Sequence, residues 1–297
     1  MRITFTNPFD AAIRAISVAA EELANAERQV ATGRRINVPS DDPAGTVSAI
    51  GSHADMLRID AYSSATDAAS SRLAVADSVL SDIVTQLTSA QATALGARGS
   101  TVTQAQRTAF SGELLAIRDT LLGDINTQFQ GAYLFSGSNV TVAPFAQTVI
   151  GISAYQGDQS STAIDVGPNR TVAGTFDGGQ IFQGTDSTHV LDVLTDLASA
   201  VSSGDEAAIG NGIDALKRAF DRATIGQAQI GNDLRTLDDG RFHLAADRTV
   251  AVSAASRAVD ADLVQASARL AQAETAYRAA LGAAAALGRV SLMDYLK

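Results

Sequence analysis

Apolar residues recur at steps of three and four at both ends of the chain. Near the N-terminus Phe9, Ile13, Ile16, Ala20, Leu23 and Val30 share one seam. Near the C-terminus the seam runs Val259, Leu263, Ala266, Leu270, Ala273, Tyr277, Ala280, Ala284 and Leu287, with Leu281 beside it. A 3.5-residue spacing is the signature of a coiled coil, because each apolar knob needs a hole on a facing helix. Two such helices at opposite ends of one chain predict that the termini meet. A two-stranded contact leaves part of an Ala-rich helix uncovered, so Phe9, Ile13, Ile16, Leu23, Val30, Val259, Leu263, Leu270, Tyr277, Leu281 and Leu287 are read as an assembly interface between copies. Glu27 falls on the first seam as a polar position that sets register.

Between the ends the same periodicity continues. The spacing predicts a first helix over 9–32, broken by Gly33, Pro39 and Pro43 into an extended loop over 33–42. Asp42 before Pro43 reads as a helix start, the carboxylate accepting from free backbone N–H groups and the proline suiting the first helical position. A long helix to about Arg98 carries Tyr62, Ala69, Leu80 and Leu87, and another over 103–129 carries Phe110, Leu114, Leu121 and Ile125. Residues 190–201 read as helix. A later seam through Ile213, Phe220, Ile230 and Leu237 slips by one residue between Leu244 and Val259, which predicts a joint between helical modules there.

Composition changes at Gly131. Seven of the fifteen Phe and Tyr residues fall from Phe129 to Phe182, among glycines and β-branched residues. Short strands are predicted over 148–155, 161–166 and 171–176, with Gly167-Pro168-Asn169 turning between the last two. The expected fold is mainly α: an elongated nested antiparallel helical hairpin and coiled-coil bundle with a small inserted β domain. Its expected domains are 1–42 with 251–297 (terminal coiled coil and connecting loop), 43–139 with 185–250 (helical bundle) and 140–184 (β insert).

Composition narrows the chemistry. Net charge is −10 with only 22 basic residues among 297 and no basic block, so no phosphate-neutralising patch for nucleic acid is present. The absence of cysteine excludes disulfides, thiolate metal sites and thiol catalysis. His53, His189 and His243 lie on separate predicted helices without metal-ligand spacing, and the β insert carries no nucleophile–His–acid set. Neither a cofactor nor a catalytic residue is expected. No run reaches the roughly 18–20 apolar residues of a membrane span, and the first residues lack a secretory signal pattern.

The loop Gly33-Arg34-Arg35-Ile36-Asn37-Val38-Pro39-Ser40-Asp41-Asp42-Pro43-Ala44-Gly45 resembles the N-terminal loop of the bacterial flagellin superfamily, and its Pro-Ser-Asp-Asp-Pro form is similar to the hook-associated branch. Gly33, Arg35, Ile36, Asn37, Pro39, Ser40, Asp41, Asp42 and Pro43 are its signature positions, with Arg34 or Arg35 expected to pair with the Asp carboxylates. Three further stretches agree: Met1-Arg2-Ile3, Gly131-Ala132-Tyr133-Leu134-Phe135-Ser136-Gly137 and Ser291-Leu292-Met293-Asp294-Tyr295-Leu296. The resemblance implies a structural adaptor joining the hook-side junction to the filament and templating flagellin assembly. The alternative is a true flagellin, against which Tyr295-Leu296-Lys297 speaks. Implied partners are copies of itself, the other hook–filament junction protein and flagellin. It also implies export through the flagellar type III apparatus without a cleaved signal peptide, and terminal helices that order only on assembly. An apolar C-terminal helix awaiting export predicts an export chaperone covering 259–287.

Overall fold

The computed structural model describes residues 6–99, 101–149 and 151–294. In chain order the elements are α1 (Thr6–Thr32), α2 (Pro43–Gly96), α3 (Gln104–Ile125), β1 (Gln128–Phe129), β2 (Ala132–Tyr133), β3 (Gln147–Thr148), β4 (Gly151–Ile152), β5 (Ala163–Gly167), β6 (Arg170–Ala173), α4 (Gly178–Phe182), α5 (Val190–Ser203), α6 (Glu206–Val259) and α7 (Leu263–Asp294). Contacts divide the chain into a terminal unit, 1–58 with 246–297, and a central unit, 59–245.

The central unit is helical because its sequence repeats in threes and fours. Leu73, Leu80 and Leu87 from α2, Leu114 and Leu121 from α3, Leu194 and Val201 from α5, and Leu216, Ile230 and Leu237 from α6 enter one buried cluster. Caps set the helix starts. Thr103 and Gln106 form a capping box on α3, and the Asp205 carboxylate accepts from Ala207 N and Ala208 N at the start of α6. His189 caps α5 through Nδ1 and is buried against the Phe145 ring, 4.8 Å between centroids. Desolvation holds its imidazole below the usual histidine range, with the Asp192 carboxylate opposing.

The β region departs from the sequence expectation. The helix predicted to 129 stops at Ile125, because Asn126 turns away to clip Phe145: Nδ2 donates to its carbonyl at 2.8 Å and Oδ1 accepts from its amide. β1 and β2 then form an unforeseen hairpin, with Gln130 at φ 52 and Gly131 at φ 81, the paired positive angles of a tight hairpin turn. The strand predicted over 148–155 folds back instead as β3 on β4, aided by Gly151 at φ 139, where L side chains are strained. β5 and β6 match the second predicted pair in place, turning at Pro168-Asn169 with Asn169 at φ 57. Each sheet has two strands, so packing rather than the ladder holds them. Phe135 and Phe182 meet edge to face at 5.5 Å, both fully buried. The Tyr155 hydroxyl accepts from Gly178 N and lies 3.1 Å from the Phe135 carbonyl. Burial, reinforced by Asp177, pushes that hydroxyl up to about 12.

In the terminal unit α1 packs against α7. Alanines make the closest approach: Ala19 and Ala26 from one helix, Ala266 and Ala273 from the other, are buried. Glu27 is exposed, and the neighbouring Ala26 takes the inward place. The boundary between the two units, at 245/246, falls within the seam slip predicted between Leu244 and Val259, without a break in the helix. α6 is unbroken to Val259, and α7 restarts where the Asp262 carboxylate accepts from Val264 N and Gln265 N.

Candidate functional site

The loop between α1 and α2 is built onto the joint between α6 and α7. Gly33 ends α1 at φ 67, a left-handed position that a residue without Cβ adopts freely. Its carbonyl accepts from Ala261 N at 2.9 Å, while Arg35 N donates to the Val259 carbonyl at 2.7 Å. A helix end leaves its last carbonyls without partners, and here another part of the chain supplies the donors. The Arg35 guanidinium completes this cap. Nη2 donates to the Ala258 carbonyl at 2.7 Å, placing a cation at the negative end of the α6 dipole. Its Nη1 lies 2.9 Å from Asp42 Oδ2. One side chain therefore ties the start of α2 to the end of α6.

The two aspartates divide the remaining work. Asp42 Oδ1 accepts from Gly45 N at 2.9 Å as the α2 cap, with Pro43 at the first helical position. Asp41 Oδ2 accepts from Asn37 N and Val38 N at 2.9 and 3.0 Å, closing the loop on itself. Asn37 Nδ2 reaches the Arg34 carbonyl, Ile36 is buried beneath, and Pro39 and Ser40 lie exposed at the turn. Gly45 is required by space: a Cβ there would come within 2.6 Å of both Asp42 Oδ2 and Ile36 Cδ1. Arg34 makes a backbone bridge to Asp260 rather than a carboxylate pair. The Arg35 acceptors on Ala258 and Val259 are backbone atoms, so no residue type announced them in the sequence.

Both carboxylates are held below the usual range. For Asp41 the largest cause is the Val38 N–H, then that of Asn37; for Asp42 it is the Gly45 N–H, then the Arg35 side chain. A folded value depressed below the ordinary 3.8 contributes stability that is present above 3.8 and lost as pH falls through the folded value. Protection of the Asn37, Val38 and Gly45 amides, taken relative to their intrinsic exchange at each pH, should therefore be steady between roughly pH 5 and 8 and fall only below the ordinary carboxylate range. A loss of protection between pH 5 and 7 would mean that another group holds the loop.

Removing the guanidinium should loosen the joint alone. Arg35→Ala is expected to raise exchange at Arg35, Ile36 and Ala261 amides while central-unit melting stays unchanged. Because a pair open to solvent contributes little by itself, the loss to watch is of geometry. Unchanged exchange at those three amides would show that the backbone contacts suffice.

The expected interface residues separate into two sets. Ile16, Leu23, Val30, Val259, Leu270 and Tyr277 are half-buried. Phe9, Ile13, Leu263, Leu281 and Leu287 remain exposed, at 50%, 57%, 56%, 43% and 39%. The seam is thus partly spent within the chain and partly open. Among the described residues no group of three His, Asp or Glu side chains forms a metal cluster, and no helix is long and apolar enough to cross a membrane.

Known proteins agree with this layout. The bacterial flagellin N-terminal helical region matches residues 7–140. Flagellar hook-associated protein 3 of Salmonella typhimurium is 28% identical over 276 residues, covering 84% of this chain and 85% of that one. Its Escherichia coli K12 counterpart is 26% identical over 193 residues, covering 65% and 60% respectively. The fold is similar to that of a flagellar hook-associated protein from Vibrio parahaemolyticus, with TM-score 0.70, 17% identity, and coverage of 74% of this chain and 100% of that one. It is also similar to hook-associated protein 3 from Legionella pneumophila, with TM-score 0.64, 13% identity, and coverage of 69% and 97%. The loop motif, the matched N-terminal region, a relative aligned over most of its length and the shared fold converge: the chain is similar to flagellar hook-associated protein 3 over most of its length, and its first half matches the flagellin N-terminal helical region.

Proposed function

We propose that this protein is a structural subunit of the bacterial flagellum at the hook–filament junction, where its copies offer the surface on which flagellin first adds. The supporting observation is the terminal unit: a paired α1 and α7 with open apolar positions, tied by the Arg35 clamp to the α6–α7 joint. A coiled-coil seam that is half satisfied within the chain completes itself against other chains. Its partners are then further copies, the other junction protein and flagellin, together with an export chaperone that covers the apolar C-terminal helix beforehand. The protein works outside the cell, carried there by the flagellar export apparatus, and needs neither cofactor nor catalytic group. The domain division follows the same reading, with terminal helices for assembly, a helical bundle for rigidity and the β insert outside it.

Immunogold labelling with an antibody to residues 140–184 tests location. A narrow band of gold between hook and filament is expected. Gold along the whole filament would instead make the protein a flagellin, and gold absent from the flagellum would remove the proposal.

A further inference from the structure

The terminal unit carries an apolar groove of about 630 Å³ between the loop, α2 and α6, lined by Val38, Ile50, Met56 and Val252, with Arg34 beside them. Val38, Ile50 and Val252 are 43%, 64% and 43% exposed, so the surface is open. We propose that this groove receives the Phe242 face of α6 from a second copy of the chain. The inference rests on reading the protein as a self-assembling flagellar subunit and names the surfaces that meet.

Two observations select that occupant. Large exposed aromatics among the described residues are Phe9 and Phe242, and Phe242 is the more exposed at 77%. Phe9 already belongs to the α1 seam. A lone exposed aromatic on a rigid helix is the kind of side chain that dominates an interface when it enters an apolar pocket. The second is charge. Asp239 sits one turn before Phe242 on the same exposed face, and neither it nor Arg34 makes an ion pair among the described residues. Phe242 in the groove, with Asp239 set toward Arg34 and away from Asp260 on the same rim, gives an apolar centre with one complementary charge pair at its edge. Donor and acceptor surfaces differ, so the contact is head-to-tail. Such a contact closes a ring or extends a helix instead of stopping at a dimer, as a junction layer requires.

The cysteine-free chain allows a direct test. One batch carries Ile50→Cys in the groove, and a second, size-tagged batch carries Arg235→Cys on the Phe242 face. The two full-length batches are mixed and treated with a short bismaleimide. The expected product is the mixed dimer in excess of either self-pair, falling roughly tenfold or more when Phe242→Asp is added to the second batch. Charge reversal by Arg34→Asp should lower the yield, and adding Asp239→Arg in the other batch should restore it. No mixed dimer, or a mixed dimer insensitive to Phe242→Asp, overturns the proposal. So does cross-linking of the groove to a cysteine placed at Phe9 instead. If gold still marks the hook–filament boundary in that case, the junction reading stands and only this contact is lost.

Discussion

Aspartate at both Leu263 and Leu270 is expected to abolish assembly and leave the cells non-motile, while the central unit melts as before. The two positions act differently. Leu270 is half-buried within the terminal unit, where α1 and α7 pack, and Leu263 is 56% exposed at the start of α7. A carboxylate at Leu270 enters the partly buried α1–α7 contact, and one at Leu263 is carried into whatever interface covers α7. Each unpaired charge taken out of water costs several kcal/mol, enough for the pair to remove association altogether. The proposed chaperone should lose its hold on 259–287 in the same variant. Swimming in a deletion strain carrying the variant, beside thermal melting of the purified chain, provides the check. Wild-type motility would show that this face of α7 has no part in assembly.

The second large effect is on stability. Phe135→Ala removes a fully buried ring that packs on Phe182 at 5.5 Å and on Phe176 at 6.1 Å. The neighbourhood is poorly able to collapse into the gap. Gly178 lies against the Phe135 backbone, where a Cβ would approach the carbonyl to 2.4 Å, and Tyr155 is anchored to that same carbonyl. Loss of transfer free energy and the residual cavity together predict about 3–5 kcal/mol of destabilisation. For a unit of this size that lowers its melting temperature by roughly 6–20 °C. Exchange should rise first in β5 and β6, which depend on packing rather than on ladder length. A fall of less than about 1 kcal/mol would mean that this aromatic cluster is not what holds the β region to the helices.

How much of this was legible in the sequence depended on whether side chains or backbone carried the information. The long helices were readable because Ala69, Leu80 and Leu87, or Ile230 and Leu237, fall at helical intervals and are buried at those intervals. The Asp42-Pro43 helix start follows from residue type, and the Arg35–Asp42 pair was among those anticipated. The target of Arg35 on α6 was invisible, because any residue offers the carbonyls of Ala258 and Val259. The seam slip marks the boundary between the two units but not the helix break. A seam slip records where the buried face rotates, whereas the helix breaks where Asp262 finds N–H groups to cap. In the β region two-residue strands give no alternation to read, and Asn126 ends α3 through a contact nineteen residues away.

Deleting the gene, imaging the cells for hooks and filaments and assaying the medium for flagellin distinguishes a junction subunit from a filament subunit. Bare hooks with monomeric flagellin accumulating outside the cell are expected, since export would continue while no surface existed for the first subunits to join. Filaments persisting on those hooks would contradict the junction reading.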